Sequence, residues 1–117
     1  MKYLLTCLIL LSFIIPSVSL AKGLSCVQGL RTLIPNAPNI NAIQYRRLAL
    51  GEVKVGSVVV LEYSNHRDPI LNWHVARIEY ISSKGFYIHE WNFEDPGREG
   101  FRTIPFTDPH IRNFVNV

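Results

Sequence analysis

The chain has 117 residues, 48% of them hydrophobic and 18% charged, with a net charge of +3. That is enough for one globular domain and too little for two. So small a charge, with no basic cluster, offers nucleic acid little to bind, and no internal repeat, low-complexity tract or heptad pattern points to a solenoid or coiled coil.

The first segment reads as a targeting signal. Lys2, the apolar run from Leu4 to Ile15 and the exit Pro16-Ser17-Val18-Ser19-Leu20-Ala21 have the form of a secretory signal peptide over residues 1–21. An apolar stretch of about a dozen residues is short of the roughly 20 that a spanning helix needs. Cleavage after Ala21 is therefore expected, leaving residues 22–117 as a single compact domain that is secreted or periplasmic, at the cell envelope, with no stable membrane insertion. Of the two cysteines, Cys7 would leave with the signal. Cys26 then has no partner within the chain for a disulfide. Taken alone, such a thiol is most often a small buried apolar residue.

Ser25 is a plausible N-cap for a helix CVQGLRTLI, which puts Cys26 in the first turn. There the helix dipole and outward N–H groups favour a thiolate and lower the thiol pKa below about 8.5. Val27, Leu30, Leu33 and Ile34 fall at helical spacing and should form the buried stripe. Gly29 costs about 1 kcal/mol relative to alanine, which implies close approach by another backbone or a weak helix. Pro35 to Asn39 form a loop. Asn39 or Asn41 then caps a short second helix holding Ala42, Tyr45, Leu48 and Ala49, with Arg46 and Arg47 outward and Gly51 as its end.

Val58 to Tyr63 is a β-branched run expected as a strand buried on both faces. The following loop, SNHRDP, contains His66 and Asp68, but their spacing with His74 matches no known ligand pattern, so neither a metal nor a cofactor is expected. Asn72 to Phe93 reads as a hairpin. His74, Ala76, Ile78 and Tyr80 alternate on one face of its first strand, and Phe86, Ile88, Glu90 and Asn92 on one face of its second. A three-residue loop Ser83-Lys84-Gly85, with Gly85 left-handed, would pair Ser82 with Phe86, Ile78 with Glu90 and Ala76 with Asn92. His74 and Asn92 then become diagonal neighbours, whereas a two-residue loop would reverse the parity and separate them. Phe101 to Ile104 and Ile111 to Val115 supply further strands. The order is helix, short helix, then four or five strands, an α+β fold with an antiparallel sheet.

A thiol nucleophile needs a base, and the base needs a polar group to fix its ring. Cys26, His74, Glu90 and Asn92 offer that set, provided that the nucleophile helix lies on the sheet face that carries His74. Taken without the others, His74 is more often a structural histidine and Glu90 an edge-strand charge. Trp73, Trp91 and Tyr87 are candidates for lining a substrate groove by stacking, although strand aromatics are more often core.

In SCVQGLRTLIP, VKVGSVVVLEY, WHVARIEY, HEWNF and DPHIRNFVNV the chain resembles the CHAP domains, the cysteine, histidine-dependent amidohydrolases/peptidases, a papain-like group acting on bacterial cell walls. The resemblance spans nearly all of residues 22–117. It implies a papain-like fold, Cys26 as nucleophile, His74 as general base and Glu90 as the residue orienting it, with Asn92 sharing that role or positioning substrate. Trp73 stands where the family usually has a small residue, Gly29-Leu30 where it commonly has an aromatic, and the stretch from Cys26 to His74 is compact. The implied function is a monomeric, secreted thiol hydrolase cleaving an amide bond of peptidoglycan or its stem peptides, either muramoyl-alanine or within the peptide. The alternative is a non-catalytic binding or inhibitor module of the cell envelope.

Overall fold

The computed structural model describes residues 23–64 and 72–117, so the expected signal segment 1–21 and the loop with His66 and Asp68 lie outside the described residues. Among the described residues two helices and five antiparallel strands make a small α+β fold. Helix α1 is Cys26–Leu33 and α2 is a single turn, Ala42–Tyr45. The strands are β1, Val58–Glu62; β2, Trp73–Ser82; β3, Gly85–Trp91; β4, Glu99–Ile104; and β5, Ile111–Val115. They form one sheet in the order β4-β3-β2-β1-β5.

Ser25 starts α1 by a reciprocal cap. Its Oγ accepts from the Gln28 N–H at 3.1 Å while Gln28 Oε1 accepts from the Ser25 N–H at 2.9 Å. Two of the otherwise unpaired amide donors of the first turn are thereby satisfied. Val27 and Leu30 are buried and pack with Tyr45, Val58, Val60, Val75 and Val115. Gly29 is buried because the Trp91 indole lies on it: a Cβ there would stand 2.1 Å from the ring. The close approach comes from a side chain and not from another backbone.

The second helix is shorter than its sequence pattern implies. Arg46 and Arg47 are exposed, as expected, but they sit in turns. Tyr45 is the anchor, fully buried, with its hydroxyl donating to the Pro38 carbonyl at 2.7 Å. Gly51 does not end a helix either. Its N–H donates to the Phe114 carbonyl at 2.8 Å, and a Cβ would meet Asn116, so this glycine lets the chain lie against β5.

Strand β1 is buried on both faces. Val58, Val59, Val60 and Leu61 have no exposed surface, and alternate residues feed two cores. Val58 and Val60 face the helices; Val59 and Leu61 join Ala76, Ile78, Phe86, Ile88 and Ile104 on the other face. Burying each such side chain contributes about 1.5–3 kcal/mol, which fixes the register of β1 against both neighbours.

The hairpin register departs from expectation in an instructive way. The loop has two residues, Ser83 and Lys84, and Ser82 pairs with Gly85, Ile81 with Phe86 and Tyr80 with Tyr87. Ile78 then pairs with Ile88, so Glu79 is an extra residue, a β-bulge. The two-residue loop reverses the parity and the bulge restores it. His74 and Glu90 consequently share a face, although neither the pairing of Ile78 with Glu90 nor that of Ala76 with Asn92 occurs. Gly85 has φ +142°, and a Cβ would collide with the Ile104 carbonyl on β4.

The helix also lies on the other face from the one required above. The α1 stripe packs with Val75, whereas His74 alternates with it and belongs with Ala76 and Ile78. Cys26 reaches His74 because it sits at the N-terminal tip of α1, beside the start of β2.

Candidate functional site

Cys26, His74 and Glu90 come together. His74 is buried at the start of β2, and its Nε2 donates to Glu90 Oε1 on β3 at 2.8 Å. With Nε2 so engaged, Nδ1 is the nitrogen left for the hydrogen bond between His74 and the Cys26 thiol. Cys26 is half-buried at the first position of α1. This is the geometry of nucleophile, base and orienting carboxylate.

The electrostatics of the three groups agree. Burial pushes the Cys26 thiol up, but the hydrogen bond and charge of His74, with the backbone N–H groups of Val75 and Val27, outweigh it and hold the thiol below its ordinary 9.0. Burial pushes His74 down, while Cys26 and Glu90 together raise it above 6.5. Burial likewise raises Glu90, and His74 and Arg102 bring it below 4.5. A lowered thiol beside a raised imidazole favours the thiolate–imidazolium pair.

Three further residues complete the site, and sequence reasoning missed all of them. Arg102 on β4 grips Glu90 with Nε to Oε2 at 2.7 Å and Nη2 to Oε1 at 3.2 Å. Its Nη2 also donates to the Tyr63 hydroxyl at 2.7 Å. The guanidinium lies 3.7 Å from the Phe93 ring centre, and Phe93 in turn lies 5.2 Å from the His74 ring. A signal was available in the sequence. Arg102 alternates with Ile104, whose side chain is buried, and an arginine on the inward face of a strand calls for a carboxylate.

A cleft of about 810 Å³ opens onto Cys26 and His74, between α1, the segment Asn39–Gln44 and the end of the sheet. Trp73 lines it and packs its inner edge on the helix-side core. Apart from His74, no charged side chain lines it among the described residues; carboxamides, aromatic rings and aliphatic groups do. A smaller cavity of about 380 Å³ lies beyond Glu90, lined by Glu94, Asp95, Arg98 and Glu99 among others.

Asn92 lines the main cleft but makes no hydrogen bond to His74. It ends β3 with a left-handed φ of 58°, its Oδ1 accepting from the Gly97 N–H at 2.7 Å. Glu90 orients the imidazole without it. Trp91 is not a groove residue: it is 7% exposed, stacked on His89 and covered by Gly29. Tyr87 also lies away from the cleft, stacked between Tyr80 and Phe101. Among the described residues no group of three or more His, Cys, Asp or Glu side chains could hold a metal ion, and no helix is long and apolar enough to cross a membrane. No model of a known protein family, no curated protein and no solved structure matches the chain.

Proposed function

We propose that the chain is a secreted thiol hydrolase that cleaves an amide bond in peptidoglycan, working as a papain-like enzyme of the CHAP kind. The observation that carries the reading is the hydrogen-bonded line Cys26–His74–Glu90, with its sulfur at a helix N-terminus on the wall of an open cleft. The resemblance to CHAP domains supports the wall as target, and the signal-like residues 1–21 support export. A cleft walled by neutral carboxamides and aromatic rings suits peptide backbone and N-acetyl sugar, which offer amides and C–H faces but no fixed charge.

In this mechanism the Cys26 thiolate attacks the scissile carbonyl carbon, and the C=O electron pair moves to oxygen. The resulting oxyanion accepts from the Cys26 backbone N–H at the tip of α1. His74 gives its proton to the leaving amine as the C–N bond breaks, leaving a thioester. His74 then takes a proton from water, hydroxide adds to the thioester, and the thiolate departs from the acid product. Glu90 stabilises the imidazolium at both stages.

The test uses residues 22–117 beside a Cys26→Ala control, with purified peptidoglycan under reducing conditions. Release of soluble fragments by the native chain alone is the expected outcome, and the masses of the fragments name the bond. If neither chain releases anything while both are folded and bind the wall, the enzyme reading fails and a binding module replaces it.

A further inference from the structure

We propose that Arg102 is a positioning residue for this site, its guanidinium holding Glu90 in the rotamer and charge state that let His74 act on Cys26. The inference rests on the hydrolase reading for its catalytic consequence, but its physical content does not.

Glu90 is 4% exposed, so its carboxylate has little water to lean on. The oxygen that accepts the hydrogen bond from His74 Nε2, Oε1, is also held by Arg102 Nη2, and the other oxygen is held by Arg102 Nε. A planar guanidinium fork against a carboxylate fixes both distance and rotation, which an ammonium cannot do. The fork is itself fixed, by the Tyr63 hydroxyl on one edge and the Phe93 ring on its face. Cys26, His74, Glu90 and Arg102 thus alternate in sign when the thiolate–imidazolium pair forms. Arg102 opposes the pull of Glu90 on the Nε2 proton, which leaves the imidazolium acidic enough to give its Nδ1 proton to a leaving amine. Its positive charge also adds to the field that favours the thiolate.

On the Cys26 side the titratable neighbour is Tyr45 of α2, with Arg31 beyond it. Tyr63 follows β1 and touches Arg102; His110, before β5, lies tilted against Tyr63 with ring centres 4.3 Å apart and is hydrogen-bonded to Asp108. Glu94, Asp95, Arg98 and Glu99 line the cavity on the far side of Glu90. The Arg102 hydrogen bonds go to Glu90 and Tyr63.

The experiment measures the rate of Cys26 alkylation by iodoacetamide against pH, in the full chain, with the modified cysteine assigned by peptide mass. Native protein is compared with Arg102→Lys, Arg102→Gln and Tyr63→Phe, each checked for folding by circular dichroism. Loss of the charge in Arg102→Gln should move the alkylation inflection upward by about one pH unit. Arg102→Lys should keep the inflection within about 0.3 units but lower kcat for peptidoglycan release about tenfold at unchanged KM, because the charge stays and the fork goes. Tyr63→Phe should lower kcat in the same sense by a smaller factor.

A folded Arg102→Gln chain with the native inflection would overturn the proposal. If that variant does not fold, Arg102→Lys decides: native inflection and native kcat together would show that the fork is dispensable. The two readings also separate. An inflection that moves in a chain releasing nothing from peptidoglycan sustains the role of Arg102 and sinks the hydrolase. Release by native protein with an unmoved inflection does the reverse.

Discussion

Trp73 lines the cleft with part of its surface and rests on the helix-side core with the remainder, whereas Trp91 is enclosed between Gly29 and the sheet. Truncating each should therefore give different phenotypes. Trp91→Ala empties a core site, and changes of that kind cost about 3–5 kcal/mol. A large drop in the urea midpoint is expected, with any loss of turnover following the unfolded fraction. Trp73→Ala removes a half-buried ring, so stability should fall by about 1–2 kcal/mol while, if the chain is the hydrolase proposed above, KM for peptidoglycan fragments rises several-fold at nearly constant kcat. Equal KM in native and Trp73→Ala protein would take Trp73 out of the substrate path. The sequence could not distinguish the two rings, because both follow apolar alternation and only the position of α1 decides which is covered.

At the scale of elements, α1 shows packing overriding propensity. Alanine is a better helix former than glycine by about 1 kcal/mol, yet a methyl group at position 29 would overlap the Trp91 ring. Overpacking of this kind costs about 1–3 kcal/mol. Gly29→Ala should therefore lower Tm, and by displacing the tip of α1 it should also slow Cys26 alkylation at neutral pH. A Tm at or above the native value would show that the indole yields freely. The helix start was legible in Ser25 and Gln28, since a capping box is local chemistry, and so was the burial of β1 in its run of valines. The hairpin was legible only as a hairpin. Its parity depends on a loop and a bulge that offset each other, and nothing in Glu79 marks it beforehand as the extra residue. What holds it there is tertiary: its carboxylate meets Arg77 on its own strand and His89 on β3.

For the whole molecule, the site draws on α1, β2, β3 and β4 together with Tyr63 after β1, so its integrity is a property of the full sheet order. The kinds of elements and the catalytic candidates Cys26, His74 and Glu90 could be read locally. Arg102 could not be assigned to Glu90 until the register of β4 on β3 was known, because the turn-rich connection 92–98 leaves that register open in the sequence. This dependence has a measurable acid limit. Burial raises the Glu90 carboxyl, yet His74 and Arg102 hold it below 4.5 in the folded chain. In Glu79 burial is again outweighed, by Arg77 and His89. A carboxyl whose folded pKa lies under its unfolded value binds more protons when unfolded within that interval, so stability rises with pH there. Its contribution is complete above about pH 4.5 and drains away as pH falls through the folded value. Glu90→Gln lacks this term and leaves Arg102 half-buried without its counterion, a loss of about 3–5 kcal/mol at pH 6. Urea unfolding of both chains from pH 6 to pH 2.5 should show the gap between them holding to about pH 4.5 and then closing as native protein loses what the variant never had. A gap that stays constant to the acid end would mean that Glu90 is uncharged in the folded protein, and the alternation of charge from Cys26 to Arg102 would then be broken at its third member.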